Sequence, residues 1–190
     1  SNVRNVFLPI KEGFGDKISK NDALRRIGIK EKYIILFFGL IRHYKGLDIL
    51  IKAVNKLNTI NNNFKLLIVG ECYDSKKKYT KLIKDLSISD KVLWVNKYIR
   101  DNEINIYFSA SDVIVLPYKS ASQSGIIPLA YNYNKIVVAS DIRGLKDFVV
   151  NDKTGYLFDS CNYNSLAEIL QKIYLHHDFS KSERDIIKYK

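Results

Sequence analysis

The chain has 190 residues, of which 46% are hydrophobic and 27% are charged, a composition that fits one large or two small globular domains. No apolar stretch approaches the ~20 residues of a membrane-spanning helix, and the first residues contain no signal-peptide core. Cys72 and Cys161 are far apart in sequence and form no CxxC pair. This cysteine usage argues against a disulfide framework or a zinc site and favours a reducing compartment.

The formal net charge of +11, from 31 Lys and Arg against 20 Asp and Glu, narrows the classes of partner. An excess of positive charge suits nucleic acid, anionic lipid or phosphorylated substrates. The lysines are spread along the chain, apart from the run 76–78 and the tail, and there is no arginine-rich arm or zinc finger. This distribution disfavours nucleic acid, and a charge cluster is most often a solvated face.

Short apolar runs rich in β-branched and aromatic residues alternate with segments of helical periodicity. The predicted elements, in chain order, are strand 6–8, helix 22–27, strand 33–38, helix 47–57, strand 64–69, helix 75–86, strand 91–95, helix 103–109, strand 113–116, helix 125–131, strand 136–139, helix 145–150, strand 155–158, helix 164–176 and a polar tail. We expect Asn21 to cap the first helix and Gly28 to end it. The alternation predicts an α/β fold, a single Rossmann-like doubly wound parallel sheet of about six strands.

The stretch 112–158 contains the pattern that organises the predicted site. An apolar strand closed by Pro117 is followed by the small polar loop 120–124, and Gly125 opens a short helix. Ligands of open parallel sheets bind at the carboxyl ends of the strands, and the N–H groups that begin a helix suit a phosphate. We therefore expect an anion site here; the alternative is an ordinary βαβ unit with a polar loop.

Four stretches of the chain, in this order, resemble the C-terminal half of a retaining glycosyltransferase of the GT-B fold, in the family called GT4. Their order along the chain makes the resemblance far more specific than any single glycine motif. The stretches are FFGLIRHYKGLDILIKA at 37–53, KLLIVGE at 65–71, VLWVNKYIRDNEINIYFSASDVIVLPY at 92–118 and QSGIIPLAYNYNKIVVASDIRGLKDFVVNDKTGYLF at 123–158.

The resemblance implies two Rossmann-like domains that face a cleft. The C-terminal domain holds the nucleotide sugar, and the N-terminal domain holds the acceptor and several catalytic groups. Residues 1–190 would then be the C-terminal donor domain. The N-terminal acceptor domain is absent from this chain, either cut away or carried on a separate polypeptide, so the isolated domain is expected to be inactive.

The basic loop 39–46 follows the strand 33–38 at the expected ligand edge. In the family, an Arg and a Lys of this loop hold the diphosphate of the donor, and the charge of that diphosphate grows as the sugar leaves. Lys45 matches the family lysine, and Gly39 is expected to line the donor site. The family arginine falls at Leu40 here, so Arg42 is expected to replace it. The alternative is a pair of solvated surface cations.

The loop after the third strand of the sheet is where the family binds the base of the nucleotide. Tyr98 and Ile99, followed by Arg100, occupy this loop, and an aromatic or guanidinium face suits stacking on a base. The alternative is a loop that faces solvent.

The fourth stretch departs from the commonest family pattern, which has two glutamates two helical turns apart. Ala121 and Leu129 occupy their positions, and Leu129 is assigned to the substrate site on that ground. The segment 123–125 gives instead a QSG variant known from a subset of the family. We expect Gln123 to hydrogen-bond sugar hydroxyls, while Ser124 and the amides of Gly125 and Ile126 take the β-phosphate.

The sequence contains no D-x-D pair, and its histidines have no metal-ligand spacing, so we expect no metal or other cofactor. The expected donor is a UDP-hexose or UDP-N-acetylhexosamine. The expected acceptor is a lipid-linked saccharide of bacterial surface polysaccharide, such as O-antigen or capsule. We expect the protein in the cytoplasm, with peripheral contact to the inner membrane through its basic surface.

Two other interpretations of the sequence stay open. The first is a non-catalytic nucleotide-binding module or one subunit of a split glycosyltransferase. The second is a nucleic-acid-binding or regulatory Rossmann domain, motivated by the positive charge.

Overall fold

The computed structural model describes residues 13–60 and 62–176. The predicted strand at 6–8 and the predicted tail lie outside these residues. Six strands of the described chain form one parallel sheet in the order β3-β2-β1-β4-β5-β6. The strands are β1 Tyr33–Phe38, β2 Phe64–Val69, β3 Val92–Val95, β4 Val113–Leu116, β5 Ile136–Ser140 and β6 Gly155–Phe158. The predicted doubly wound α/β fold is confirmed.

The strands are almost entirely apolar because helices cover both faces of the sheet; the exceptions are Lys65 in β2 and Ser140 in β5. In β1, Tyr33, Ile35 and Phe37 pack into one core cluster, while Ile34 and Leu36 pack into the cluster on the opposite face. Side chains of a strand alternate between its two faces, so a strand covered on both faces is apolar at nearly every position.

The helices are α1 Lys20–Ile27, α2 Leu47–Asn58, α3 Lys76–Asp85, α4 Ile104–Ala110, α5 Ile126–Asn132 and α6 Tyr163–His176. Helices α2, α3 and α6 pack on one face of the sheet, and α1, α4 and α5 pack on the other. In α2, Leu50 and Val54 lie four residues apart on the buried face. Each such side chain contributes roughly 1.5–3 kcal/mol when it is fully buried.

Two local predictions about helices are wrong. Ser19 caps α1 instead of Asn21, because Ser19 has extended backbone and its side chain accepts the N–H of Asp22, whereas Asn21 already lies inside the helix. The helix predicted at 145–150 is a single 3-10 turn, Lys146–Phe148. Gly28 ends α1 in the left-handed conformation, as predicted.

The order in which strands are added to the sheet changes side between β1 and β4. The chain runs from β1 outward to β2 and β3, and it returns to the other side of β1 for β4, β5 and β6. The loops that leave the carboxyl ends of β1 and β4 therefore face each other across a crevice, which is where open α/β sheets bind ligands.

Candidate functional site

A cavity of about 490 Å³ lies between the loop after β1 and the loop after β4. Two of its lining residues, Tyr44 and Lys45, come from the first loop. The others come from the second loop and the start of α5, namely Tyr118, Ser120, Ala121, Ser122, Gln123, Ser124, Gly125 and Ile126. Lys45, Gln123, Ser124, Gly125 and Ile126 were predicted site residues, and the fold brings them together.

Gly46 allows the two loops to approach closely. Its φ of 67° is left-handed, and a Cβ placed on it would lie 1.8 Å from the carbonyl oxygen of Pro117. Next to this contact, the backbone N–H of Lys119 donates to the carbonyl oxygen of Tyr44 at 2.7 Å. The loop after β1 is therefore fixed directly to the end of β4, which sets the position of Lys45.

Lys45 presents a partly buried ammonium to this cavity. Its Nζ lies 5.2 Å from the centre of the Tyr118 ring, and a Cβ on Gly39 would approach Nζ to 3.1 Å. Burial and, secondly, the charge of Arg42 lower the pKa of Lys45. Within the described part of the chain, no carboxylate lies within 4.0 Å of Nζ. The cavity thus contains a cation that no acidic side chain neutralises.

Tyr118 forms the inner wall of the cavity. Its side chain is buried, and this burial raises the pKa of its hydroxyl to about 12, although the neighbouring Ser124 side chain lowers that pKa. The ring of Tyr44 packs edge-on against it, with the ring centres 6.3 Å apart. The phenol therefore remains neutral, and its ring has a fixed orientation.

The QSG segment ends the second loop and leads into α5. Ser124 Oγ accepts the N–H of Ile126 at 3.3 Å. Gly125 has a φ of −67°, and a Cβ placed on it would meet nothing within 4 Å. Gln123 and Gly125 are exposed at the cavity, so both are accessible to a ligand.

Arg42 does not line the cavity. It is exposed, and its guanidinium lies over the ring of Tyr73, 5.2 Å from the ring centre. The Tyr73 hydroxyl in turn donates to a carboxylate oxygen of Glu71 at 3.2 Å. Arg42 is thus held on the side of β2, while Lys45 points toward β4.

The remaining predicted site residues lie outside the cavity lining. Tyr98 is 66% exposed in the loop after β3, and Ile99 beside it is 7% exposed and packs into a core cluster. Leu129 of α5 is 5% exposed and packs into the same cluster. Gly39 lies at the end of β1, where its lack of a side chain leaves room for the Lys45 ammonium.

Tyr44, Tyr118 and Ser120 line the cavity, but the sequence analysis did not select them. The sequence could have indicated Tyr118, because it directly follows Pro117 at the carboxyl end of the strand beside the crevice. It indicates Tyr44 less clearly, as an aromatic residue next to the predicted site residue Lys45.

The described residues include neither a membrane-spanning helix nor a cluster of metal ligands. No helix in 13–60 or 62–176 is both long enough and apolar enough to cross a membrane. The same residues contain no group of three or more His, Cys, Asp or Glu side chains placed to hold a metal ion.

Known proteins resemble this chain in sequence and in structure. A family model described as "Glycosyl transferases group 1" matches residues 19–190. The lipopolysaccharide 1,2-N-acetylglucosaminetransferase of Salmonella typhimurium is 29% identical over 130 residues, which cover 65% of this chain and 34% of that protein. The chain spans about a third of the length of the curated relatives it matches.

Solved structures share the fold. The C-terminal domain of LpcC, a glycosyl transferase group 1 family protein from Francisella tularensis, matches with a TM-score of 0.77 and 21% identity over 86% of each chain. Anabaena HepE, solved in complex with UDP and glucose, matches with a TM-score of 0.75 and 21% identity, over 84% of this chain and 44% of that one. These matches show that the chain has the fold of the C-terminal domain of a GT-B protein.

Proposed function

The chain belongs to the glycosyl transferases group 1 family, and from this we propose that it is the donor-binding domain of a retaining glycosyltransferase. The proposed reaction moves a hexose or an N-acetylhexosamine from a UDP-sugar to a saccharide acceptor. The unpaired ammonium of Lys45 at the crevice between β1 and β4 carries this proposal. A partly buried cation without a carboxylate partner is best compensated by an anionic ligand.

The diphosphate of the donor is the anion that this site is proposed to hold. During transfer, the bond between the anomeric carbon and the β-phosphate oxygen breaks, the acceptor oxygen bonds to that carbon, and charge accumulates on the diphosphate. Lys45 would stabilise this charge, as fixed cations do in the transition state, without need of a metal ion. Ser124 and the backbone at Gly125 and Ile126, across the cavity, are proposed to contact the β-phosphate.

The other predicted residues are proposed to bind the remaining parts of the donor. Gln123 is exposed at the cavity and can hydrogen-bond sugar hydroxyls. Tyr98 and Ile99 follow β3, where the exposed ring offers a face to the uracil. Arg42, over Tyr73, is proposed to contact the phosphates from the β2 side. The UDP seen in Anabaena HepE, which has the same fold, supports uridine as the nucleoside.

The proposed acceptor is a lipid-linked saccharide of a bacterial surface polysaccharide, in line with the Salmonella relative named for lipopolysaccharide. Helix α3 offers a basic surface for peripheral contact with an anionic membrane. Its five lysines Lys76, Lys77, Lys78, Lys81 and Lys84 are all exposed, and its first turn has no acidic residue. The lysines in the first turn of α3 oppose the helix dipole and therefore do not stabilise the helix. We assign them a role in binding instead.

Vesicle flotation tests this membrane contact. The chain is expected to float with phosphatidylglycerol vesicles and to remain behind with phosphatidylcholine vesicles. Replacing the lysines at 77, 78 and 84 by serine should abolish flotation. Replacing the exposed lysines at 52, 146 and 153 by serine changes the net charge equally and should preserve it. Equal loss in both variants would mean that α3 is not the contact surface.

Calorimetry with UDP-, GDP- and ADP-sugars tests the proposed donor. We expect binding of the UDP-sugars and of UDP. Absence of binding to every nucleotide would contradict the proposed function, and binding of another base would contradict the uridine assignment. A DNA mobility shift that disappears with salt, without UDP binding, would favour the nucleic-acid alternative.

A further inference from the structure

Tyr118 lines the cavity between the lysine from the loop after β1 and the serine from the loop after β4. The structure assigns Tyr118 as a positioning residue: its ring holds the Lys45 ammonium beside the QSG segment, so that both can meet one diphosphate. This assignment rests on the proposed function, and it concerns a residue that the sequence analysis did not select.

The ring holds Lys45 from one side. The ammonium lies 5.2 Å from the ring centre, within the distance at which a cation is attracted to an aromatic face. Gly39 also lies close to the ammonium, since a Cβ there would be 3.1 Å from Nζ. The ring itself is 4% exposed and packs against Tyr44, which restrains its position. A flexible lysine side chain is therefore confined without a carboxylate that would compete with the ligand.

Ser124 lines the same cavity and lowers the pKa of the Tyr118 hydroxyl. Its Oγ accepts the N–H of Ile126 at 3.3 Å, which ties the loop after β4 to the first residue of α5. The ring that packs against Lys45 is therefore next to the QSG segment.

Substitution can separate the ring of Tyr118 from its hydroxyl. Tyr118→Phe keeps the ring and removes the hydroxyl, whereas Tyr118→Leu removes both. Tyr131→Phe is a control for the loss of a tyrosine hydroxyl, because Tyr131 does not line the cavity.

Calorimetry with UDP and with uridine provides the first test. Tyr118→Phe keeps the ring and should bind UDP like the parent. Tyr118→Leu should weaken UDP binding about twofold to thirtyfold, the range of a cation–π contact. In a Lys45→Ala background it should weaken binding little more, because the ring acts through Lys45. Uridine has no phosphate, so its affinity should stay constant in all variants, and Tyr131→Phe should bind UDP normally. Unchanged UDP affinity in Tyr118→Leu, or an equal loss for uridine, overturns the assignment.

Nuclear magnetic resonance provides a second test that needs no nucleotide. The ring should shift the ε-methylene signals of Lys45 upfield, in the unaltered chain and in Tyr118→Phe but not in Tyr118→Leu. An unshifted signal in the unaltered chain overturns the assignment even if UDP binds. If neither UDP nor inorganic pyrophosphate binds the unaltered chain, the proposed function fails, and the positioning of Lys45 by Tyr118 is still decided by this shift.

Discussion

Lys45 differs from the other partly buried lysines of the chain in what neutralises it. The side chain of Lys65 is 17% exposed and lies 2.8 Å from a carboxylate oxygen of Glu31. Lys119, at 22% exposure, lies 3.1 Å from Asp48. Lys45 has an aromatic ring in place of a carboxylate. An ion pair would occupy the ammonium permanently, whereas a ring stabilises the cation and leaves its hydrogen-bond donors available for a ligand.

Substitution of Lys45 by alanine tests this view. Lys45→Ala should weaken UDP binding by roughly 1.5–3 kcal/mol, the range for a hydrogen bond to a charged group. Lys52→Ala is the matched control, because Lys52 also lies over a tyrosine ring, that of Tyr163 at 5.8 Å, and does not line the cavity. Uridine should bind both variants like the parent, and a parallel loss of uridine affinity would mean that Lys45 has no phosphate role.

The lowered pKa of Lys45 gives a second prediction at the residue scale. A bound diphosphate favours the protonated ammonium, so UDP affinity should fall as pH rises through the lowered pKa, that is, below the ordinary value of 10.5. Tyr118, with a pKa of about 12, stays neutral in this window. Calorimetry from pH 7 upward should show this fall in the parent chain and not in Lys45→Ala.

The same pKa has the opposite effect on stability. Between the lowered pKa and the ordinary value, the unfolded chain binds more protons at Lys45 than the folded chain, so this residue raises the free energy of unfolding as pH increases. The difference in stability between the parent and Lys45→Ala should therefore shift in favour of the parent with pH. A difference that stays constant across the window would contradict the lowered pKa.

Glycines determine how the loops between elements can approach each other. Gly28 and Gly46 are both left-handed, with φ of 77° and 67°. Alanine in that conformation costs about 1–2 kcal/mol. A Cβ at Gly28 would meet nothing within 4 Å, whereas one at Gly46 would collide with the Pro117 carbonyl at 1.8 Å. Alanine substitutions at these two glycines therefore distinguish the cost of backbone strain from the cost of disrupting the contact between the two loops of the site.

We expect Gly28→Ala to lower the free energy of unfolding by about 1–2 kcal/mol and to leave UDP affinity unchanged. Gly46→Ala should lower the free energy of unfolding by more, because the loop must move away from β4, and it should also weaken UDP binding by displacing Lys45. Denaturant unfolding and calorimetry measure both quantities. Equal effects of the two variants would mean that the loop contact contributes nothing to the site.

Gly125 gives a contrasting prediction in the same loop system. Its φ of −67° is accessible to any residue, and open space surrounds the position of a Cβ. A role in tight packing of α5 on the sheet therefore has no support. Gly125→Val should leave the melting temperature nearly unchanged and abolish UDP binding, because the side chain would occupy the space proposed for the phosphate. Retained UDP binding in the folded variant would remove Gly125 from the site.

The limits of a strand were predictable from the sequence where burial determines which residues are apolar. The predicted limits of β1, β2, β4 and β6 agree with the structure, since a strand covered on both faces is a nearly continuous apolar run, broken in these four strands only by Lys65 of β2. The cap of α1 was not predictable, because Ser19 and Asn21 are both good capping residues and the choice depends on backbone angles. The orientation of Arg42 likewise depends on Tyr73, which comes from the loop after another strand.

The fold brings half of the predicted donor groups together at the crevice between the loops after β1 and β4. Parallel strands and right-handed crossovers bring the loops after β1 and β4 together, so a motif that matches both loops predicts which residues meet. The chain covers about a third of the length of the curated relatives it matches. An acceptor site on a further domain is therefore a proposal.

The last prediction concerns binding without turnover by this chain alone. The described cavity holds groups for a diphosphate, namely Lys45 and the QSG segment, but it includes no carboxylate or histidine that could accept the proton of an acceptor hydroxyl. If the cleft lies between donor and acceptor domains, as proposed, this chain supplies one of its walls, so it should bind UDP weakly and transfer no sugar from UDP-sugars to saccharides. Calorimetry measures the binding, and chromatography of radiolabelled donor measures transfer and hydrolysis. Robust transfer by the chain alone would show that the described loops suffice for catalysis and would overturn the proposed division into donor and acceptor domains.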